Sequence, residues 1–375
     1  MRDVIDQLLD WWQADQTVGM GLVTATWRSA PRPAGAAMLV GPDGTVVGSV
    51  SGGCVEGAVY DLAQEVVASG EAVNQRYGIS NDDAFAVGLV CGGVLDVFVA
   101  PVDRRTFPSL ADVAATIRAD EPVAVATCVS GPGPVGARIA IWPDRHEGGF
   151  GSARFDDAVI DDARGLLAMG ETRTLHYGPD GERRGDEVTV FVEAFAPRPH
   201  MIVFGAIDFA RAVAQAGAFL GYRVTVCDAR PVFATTSRFP EADEVVVEWP
   251  HVYLERTVTD ERTVICVLTH DPKFDVPVLR VALNRPAAYV GAMGSRATHE
   301  DRLRRLAEAG VTPEQSARLH SPIGLDLGGR TPEETAISIA AEIIAIRRGG
   351  SGRQLIATSG PLHHDVPERE RMLPA

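Results

Sequence analysis

The chain has 375 residues, of which 46 % are hydrophobic, and 35 Lys and Arg against 50 Asp and Glu give a net charge of −15. This composition excludes disorder of the whole chain, and the length predicts two domains of ~150 residues each. The negative charge argues against nucleic-acid and membrane-surface partners. Because the sequence has five cysteines, no signal-peptide core and no apolar run of ~18–20 residues, it predicts a soluble cytoplasmic protein with reduced thiols.

Residues 1–195 predict an α+β domain with a middle segment at 120–195. The predicted elements are a helix at 3–15, strands at 20–26, 36–40 and 45–50, a helix at 55–68, strands at 94–100, 123–129 and 137–142, a helix at 156–169 and a strand at 188–194. Glycine- and proline-rich turns separate these elements. No strong internal repeat and no long low-complexity tract is evident.

The segment Ala196-Pro197-Arg198-Pro199 separates this domain from the next, because two prolines remove two backbone donors. Over 198–348, short apolar strands alternate with helices, which predicts a Rossmann-like, doubly wound α/β domain with a largely parallel sheet. Its last helix begins with the capping box Thr331-Pro332-Glu333-Glu334 and ends at Gly349-Gly350. Residues 349–375 are predicted to form a flexible tail.

Two segments each place a cysteine beside two glycines: Ser51-Gly52-Gly53-Cys54 and Gly88-Leu89-Val90-Cys91-Gly92-Gly93. Glycine permits left-handed turns and lets a ligand approach the backbone. The first segment opens a predicted helix, whose positive end would favour the Cys54 thiolate, and the N–H groups of Gly52, Gly53 and Cys54 would hold an anion. The alternative is a pair of small turn cysteines without a ligand.

The other three cysteines, Cys128, Cys227 and Cys266, lie in apolar strand patterns and are predicted to be core thiols. No C-x-x-C pair and no histidine at ligand spacing indicates a zinc site. No protein metal site is therefore predicted.

Several motifs together give residues 1–348 a family resemblance. They are Ser29-Ala30-Pro31-Arg32-Pro33-Ala34-Gly35, Gly52-Gly53-Cys54-Val55-Glu56, the Cys91 segment, Tyr289-Val290-Gly291-Ala292-Met293-Gly294-Ser295-Arg296 and Ser321-Pro322-Ile323-Gly324-Leu325-Asp326. With these motifs the chain resembles the XdhC/CoxI proteins, which are accessory factors of xanthine dehydrogenase and related molybdenum hydroxylases.

The resemblance implies that the chain binds molybdenum cofactor (molybdopterin), promotes its sulfuration and hands it to an apo-hydroxylase. It implies that Cys54 is the cofactor contact and the catalytic residue. The other residues that the first-domain motifs suggest for cofactor binding are Gly52, Gly53, Glu56, Cys91, Gly92 and Gly93. Arg32, between two prolines, is either a phosphate clamp or a solvated turn arginine. A homodimer is expected, and a cysteine desulfurase is a candidate partner.

The second domain begins like a dinucleotide-binding unit but departs from it at the phosphate loop. Gly205 follows the first strand, and Asp228 ends the next strand, where a ribose-binding carboxylate belongs. Glycine is expected at 207 and, in the family, histidine at 208, but this chain has Ile207 and Asp208. A β-branched side chain and a negative charge oppose a pyrophosphate, although Asp208 would make a good N-cap. The loop therefore argues against NAD(P).

Other polar residues follow later strands of this domain. His270 comes after the strand at 264–268, and Gly294, Ser295 and Arg296 follow the strand that ends at Val290. Because carboxyl ends of parallel strands share one edge, this glycine turn with an arginine suits an anion. His270 either pairs with Asp208 or caps a helix.

These patterns and the resemblance predict a molybdenum-cofactor binding, maturation and insertion factor, an accessory protein more than a self-standing enzyme. One alternative is an NAD(P)-dependent oxidoreductase, which the Rossmann pattern favours. Another is a non-catalytic scaffold for hydroxylase assembly. The sequence has no four-cysteine spacing for an iron–sulfur cluster, which a xanthine dehydrogenase itself would need.

Overall fold

Residues 1–27, 32–78 and 93–359 are described by this computed structural model. Within them the chain forms two units, Met1–Pro197 and a second that begins at Arg198. The predicted site residues Cys91 and Gly92 and the end of the predicted tail, 360–375, lie outside the described residues. In the described part, no helix is long and apolar enough to cross a membrane.

The first unit is built from two five-stranded antiparallel sheets. Its elements are α1 Ile5–Gln13, β1 Val18–Trp27, β2 Ala37–Val40, β3 Val46–Gly48, α2 Glu56–Ser69, β4 Val73–Tyr77, β5 Val94–Val102, α3 Leu110–Arg118, β6 Val123–Ser130, β7 Arg138–Ile141, β8 His146–Gly148, α4 Ala153–Met169, β9 Arg173–Tyr177 and β10 Val188–Phe195. The strand orders are β3-β2-β1-β5-β4 and β8-β7-β6-β10-β9.

The two sheets are copies of one motif. Each copy runs helix, three strands, helix, two strands, and both sheets have the same strand order. Corresponding residues include Gly48 and Gly148, Glu56 and Asp156, Gly70 and Gly170, and Tyr77 and Tyr177. The expectation of no strong repeat is therefore wrong. Matching residues are too scattered for the period to be evident from the sequence, whereas the strand order repeats completely.

Reciprocal contacts relate the two copies as in a two-fold arrangement. A Cβ on Gly35, two residues before β2, would lie 3.6 Å from Thr172, which precedes β9. A Cβ on Gly136, two residues before β7, would lie 3.8 Å from Ala72, which precedes β4. One shared core contains residues of α1, α3 and both sheets, while α2 and α4 each cover one sheet.

An indole ring packs in equivalent places of the two copies but comes from different elements. In the first copy Trp11 of α1 lies against Gly41, which follows β2. In the second, Trp142 follows β7 and donates from Nε1 to Thr116 of α3 at 2.9 Å. A large side chain on the helix is thus replaced by a large side chain on the strand.

Gly41→Ala is expected to lower the free energy of unfolding by about 1–3 kcal/mol, because overpacking forces side chains from their positions. The new Cβ would lie 2.6 Å from the Trp11 ring. In a Trp11→Thr background, which resembles the second copy, the same substitution should cost much less. Denaturant unfolding of the four proteins measures this coupling, and strictly additive losses would contradict the packing explanation.

A six-stranded parallel sheet forms the second unit. Its elements are β11 His200–Phe204, α5 Asp208–Phe219, β12 Arg223–Asp228, β13 Glu244–Val247, α6 Pro250–Arg256, β14 Val264–Val267, α7 Pro272–Leu283, β15 Tyr289–Ala292, α8 Arg296–Glu308, α9 Pro313–Ser316, β16 Leu319–His320 and α10 Pro332–Arg348. The strand order is β13-β12-β11-β14-β15-β16, the Rossmann order, which reverses between β11 and β14. The predicted α+β domain followed by a Rossmann-like domain is confirmed.

The start of α10 has the predicted capping box. The Thr331 side chain accepts from the Glu334 N–H, and the Glu334 carboxylate accepts from the Thr331 N–H. Gly349 ends the helix in the left-handed conformation, with φ of +67°.

Candidate functional site

The topology of the first sheet brings described residues of three predicted motifs to one end. The last residues of β1 and β4 pair with the first residues of β5. At the same end β2 begins and β3 ends, where Met38 pairs with Gly48. Arg32, which lies between β1 and β2, the loop 49–55 and Gly93 therefore all lie at this end.

Gly78 and Gly93 bound the connection that carries Cys91. A Cβ on Gly78 would lie 3.0 Å from the Gly93 carbonyl oxygen, and the Gly78 φ is +147°. This close approach requires glycine at 78, since a side chain would meet backbone. The connection therefore begins and ends at neighbouring residues of the same sheet end.

The Glu56 carboxylate accepts hydrogen bonds from several residues of the loop 49–55. Its Oε1 accepts from Ser49 Oγ at 2.6 Å, Ser51 N at 2.9 Å and Gly52 N at 3.0 Å. Its Oε2 accepts from Ser51 Oγ at 2.5 Å and Gly53 N at 2.8 Å. Burial opposes ionisation, but the hydrogen bonds from the Ser49 and Ser51 hydroxyls and from backbone outweigh burial and lower the pKa of Glu56 to about 2.

The backbone N–H groups predicted to hold a ligand anion are bonded within the loop. Those of Gly52 and Gly53 donate to Glu56, and that of Cys54 donates to Ser51 Oγ at 3.0 Å. The expectation of a free backbone anion site is therefore corrected, because the Glu56 carboxylate takes the place of that anion. Glu56 shapes the loop and is not turned toward a ligand.

The loop presents a thiol beside two open glycines. Gly52 and Gly53 are exposed, with φ of +79° and +122°, and no heavy atom beyond the two adjacent residues lies within 4 Å of where a Cβ would stand. Cys54 is half-buried and free, and it immediately precedes Val55, the N-cap of α2. The backbone of Gly52 and Gly53 is therefore open to an approaching molecule, while the adjacent Cys54 side chain packs partly against the core beneath α2.

The other cysteines of the described part are core thiols, as predicted. Cys128, Cys227 and Cys266 are fully buried. Burial raises the pKa of Cys128 to about 11 and of Cys227 and Cys266 to about 12, so they remain protonated and inert. No group of three potential metal ligands occurs among the described residues.

The second copy has the internal carboxylate but not the thiol. Asp156 stands where the first copy has Glu56, and its Oδ1 accepts from Phe150 N at 2.7 Å. Arg154 stands at the position of Cys54. The carboxylate is thus a structural property of the motif, whereas the cysteine distinguishes the first copy.

Arg32 lines a separate open cavity of about 290 Å³ in the first unit. Its Nη2 lies 3.3 Å from the Asp3 carboxylate, and its Nε is enclosed without a hydrogen-bond partner among the described residues. The Met1 ammonium and Glu193 form a buried ion pair of 3.0 Å at the same cavity. No residue of the loop 49–55 lines it, so the structure does not join Arg32 to Cys54 in one cavity.

In the second unit, the turn that begins at Gly205 packs closely against other residues of the same unit and hydrogen-bonds to them. Gly205 has φ of +103°, and a Cβ there would lie 3.0 Å from Thr269 N. Asp228 accepts from Ala206 N at 2.8 Å and from Arg230 Nη2 at 2.7 Å. Burial opposes ionisation of Asp228, but these hydrogen bonds outweigh it and lower its pKa. The predicted ribose carboxylate therefore has internal partners.

Two predictions about Asp208 are wrong. The N-cap of α5 is Ile207, and Asp208 is the first residue of the helix, too far along the chain to cap it. Its carboxylate lies 3.2 Å from Arg238 instead of pairing with His270. His270 does not cap α7 either, because Asp271 does so by accepting from the backbone of that helix.

Of the three residues predicted to bind an anion at the carboxyl edge, two line a cavity and one does not. Gly294 and Ser295 line a cavity of about 480 Å³, whereas Arg296 is exposed and does not line it. Ser295 also caps α8 by accepting from Thr298 N at 3.1 Å.

Arg302, which is not among the predicted residues, lies buried beneath this edge. It donates to Asp275 Oδ2 at 3.1 Å, to the Met293 carbonyl at 2.7 Å and to Ser321 Oγ at 2.8 Å. It thereby links α7 to the ends of β15 and β16. One signal in the sequence was its helical spacing from the buried Leu306, but a neighbouring run of arginines obscures it.

Comparison with known proteins gives consistent matches over most of the chain. The family described as "XdhC Rossmann domain" matches residues 201–343, and the "XdhC and CoxI family" matches residues 11–78 and 116–178. The latter two segments end at Gly78 and Gly178, which are equivalent positions of the two copies.

Two relatives and one solved structure extend these matches. A Bacillus subtilis protein, named as a probable subunit of xanthine dehydrogenase, is 28 % identical over 334 residues, covering 85 % of this chain and 90 % of the relative. The Escherichia coli "Molybdenum cofactor insertion chaperone PaoD" is 27 % identical over 318 residues, covering 85 % and 80 %. A crystal structure of a Bacillus halodurans xanthine dehydrogenase aligns with a TM-score of 0.66 and 26 % identity, covering 94 % of this chain and 97 % of that one.

Proposed function

Because the chain belongs to the XdhC and CoxI family, we propose that it binds molybdenum cofactor, supports its maturation and inserts it into a xanthine dehydrogenase-type hydroxylase. The name of the Escherichia coli relative supports the insertion role, and that of the Bacillus subtilis relative supports this class of client. The observation that carries the proposal is the Cys54 loop, where a free, half-buried cysteine stands beside two open glycines.

The chemistry of this loop fits a molybdenum-containing cargo. A cysteine sulfur is a soft metal ligand. The exposed Gly52 and Gly53 leave room for a bulky pterin beside the thiol. In this proposal Cys54 contacts the cargo, and Glu56 is a positioning residue that holds the loop in shape.

The finer parts of the proposal concern the second cysteine and the partners. Cys91 and Gly92, which lie outside the described residues, would provide a further contact to the cargo. Sulfuration of the cargo on this chain, sulfur delivery by a cysteine desulfurase and assembly as a homodimer complete the proposal. They rest on the family resemblance.

The Rossmann fold of the second unit favours a second candidate, an NAD(P)-dependent oxidoreductase. The residues of its phosphate loop support this candidate less well. Ile207 replaces the glycine that would admit a pyrophosphate, and Asp228 is held by Arg230. If calorimetric titration shows that NADH binds with micromolar affinity, the NAD(P)-dependent oxidoreductase becomes the preferred candidate.

Cofactor retention tests the main proposal. The full chain is incubated with molybdenum cofactor and gel-filtered, and the molybdenum that co-elutes is quantified. Wild type should retain cofactor, and Cys54→Ser should bind it about tenfold more weakly, the effect of losing ~1.4 kcal/mol. Arg154→Ser, at the equivalent position of the second copy, is the matched control and should retain it normally.

The outcomes separate the alternatives. Equal retention by wild type and Cys54→Ser would remove Cys54 from the proposal. If wild type retains no cofactor but binds the apo-hydroxylase, the chain acts as a scaffold, the alternative predicted from the sequence.

A further inference from the structure

A cavity of about 480 Å³ opens at the carboxyl edge of the second unit's sheet. Its walls come from residues that follow β14, β15 and β16 and from the first turn of α5. It therefore lies on the β14 side of the point where the strand order reverses. In open α/β sheets, ligands bind in the crevice at this point.

The polar lining of this cavity contrasts with the acidic chain around it. His270 and Arg330 are basic, Ser295, Thr298 and Thr335 carry hydroxyls, and no Asp or Glu is among the lining residues. The Arg330 guanidinium makes no ion pair within the described residues. In a chain of net charge −15, such a lining selects for an anion.

The remaining wall is apolar. Phe209, Met293, Pro322 and Ile323 contribute to it. An aromatic ring and a thioether beside polar groups are typical of a site that holds a flat ring with a charged substituent.

The other half of the crevice, on the β12 side, is closed by side chains of the same unit. Arg230, which holds Asp228, stacks on Phe233 with its guanidinium carbon 4.6 Å from the ring centroid. Arg238 lies 5.6 Å from the same ring and donates to the Ala206 carbonyl at 3.2 Å. The turn that would hold a pyrophosphate is thus covered on the side where the adenosine of a dinucleotide would lie.

We propose that the second unit binds a phosphomonoester of a flat heterocycle in this cavity, and not a dinucleotide. The phosphate is held by Arg330 and the Ser295 hydroxyl, and the ring packs on Phe209 and Met293. The site rests on the second unit alone and does not depend on cofactor binding at Cys54.

Isothermal titration calorimetry of the full chain with inorganic phosphate, AMP and NAD⁺ tests the proposal. AMP should bind more tightly than inorganic phosphate, because the ring adds apolar contact. NAD⁺, which is larger and lacks a phosphomonoester, should bind more weakly than AMP. Arg330→Gln should weaken AMP binding about tenfold, the usual effect of losing a charge-assisted hydrogen bond.

Arg348→Gln is the matched control. It removes the same charge at the opposite end of α10, and its side chain is exposed, so AMP binding should be unchanged. No binding of AMP at millimolar concentration, equal losses in Arg330→Gln and Arg348→Gln, or tighter binding of NAD⁺ than of AMP would each overturn the proposal.

A further titration distinguishes two candidate ligands that both carry a phosphomonoester on a flat heterocycle. They are a nucleoside monophosphate and the pterin phosphate of molybdenum cofactor. AMP is titrated into the chain after loading with the cofactor, and this titration alone depends on the proposed function. Lost AMP binding identifies the pterin phosphate as the ligand, and retained AMP binding identifies a nucleotide. Either result supports the site itself.

Discussion

Arg302→Met is expected to lower the free energy of unfolding of the second unit by about 3–5 kcal/mol, the usual cost of breaking a buried ion pair by removing one partner. The Arg302 side chain is 3 % exposed, and its guanidinium lies 3.1 Å from the Asp275 carboxylate. Methionine fills similar volume but leaves Asp275 as a buried charge without a cation. Denaturant unfolding at neutral pH measures the loss.

The loss should depend on pH. Burial raises the pKa of Asp275, although hydrogen bonds from Thr269 and Arg302 oppose this. A folded-state pKa above the unfolded value of about 3.9 means that the carboxyl group favours folding most at low pH, and this contribution is lost as the pH rises through the folded value. Without Arg302 the pKa rises further. The difference between Arg302→Met and wild type should therefore shrink as the pH falls from neutral toward about 4.

Two further variants make the prediction specific. Arg302→Met with Asp275→Leu removes both charges and should recover most of the stability, because two apolar side chains leave no buried charge. Arg304→Met, on the same helix but 57 % exposed, should change stability by less than about 0.5 kcal/mol. Equal losses at 302 and 304, or no recovery in the double variant, would contradict the role of the ion pair.

Glu56→Gln is expected to lower the free energy of unfolding by about 2 kcal/mol. A pKa of about 2 against an ordinary 4.5 corresponds to ~3 kcal/mol of interaction with the ionised form, and solvent screening of this partly exposed side chain reduces it. Glutamine keeps the size but turns an NH₂ group toward N–H and O–H donors. Denaturant unfolding and hydrogen exchange at Gly52 and Gly53 report the loosened loop.

This difference should disappear in acid. A folded-state pKa below the unfolded value gives stability that is present above about 4.5 and lost as the pH falls toward about 2. Wild type and Glu56→Gln should therefore converge in stability over that range. At neutral pH the variant should also retain less molybdenum cofactor, because Cys54 is no longer held in place.

Asp156→Asn in the second copy is the matched control for Glu56→Gln. It weakens the equivalent carboxylate contact, that with Phe150 N, without touching the Cys54 loop. Cofactor retention should remain at the wild-type level. Normal retention by Glu56→Gln despite faster exchange at Gly52 and Gly53 would contradict the positioning role of Glu56.

Local patterns in the sequence predicted the elements correctly where neighbouring residues decide the structure. The capping box at Thr331 involves residues three apart, and the burial of Cys128, Cys227 and Cys266 follows from the apolar strands around them. The glycine–cysteine motif also indicated a cysteine just before a helix, because this placement depends on a few consecutive residues.

The assignment of hydrogen-bond partners was less predictable. Glu56 belonged to the family motif, but its sequence position does not show whether its carboxylate faces a ligand or the loop. It faces the loop because its helix turns it back toward the N–H groups that precede it. Arg238, distant in sequence from Asp208 and Ala206, reaches both only in the folded unit.

Most element types, the Rossmann alternation of strands and helices, the family motifs and the core thiols follow from the amino-acid sequence, because each depends on local periodicity or on short runs of residues. The helix α3 and the strands β4, β8 and β9 were not predicted. Three features became visible only in the folded chain: the first unit is a duplicated motif, the Glu56 carboxylate takes the place of an anion, and Arg302 supports the edge of the second sheet. The physical reason is that these features depend on strand order and on the direction in which side chains point. The polar contacts involved form only when the sheets and helices bring their partners together.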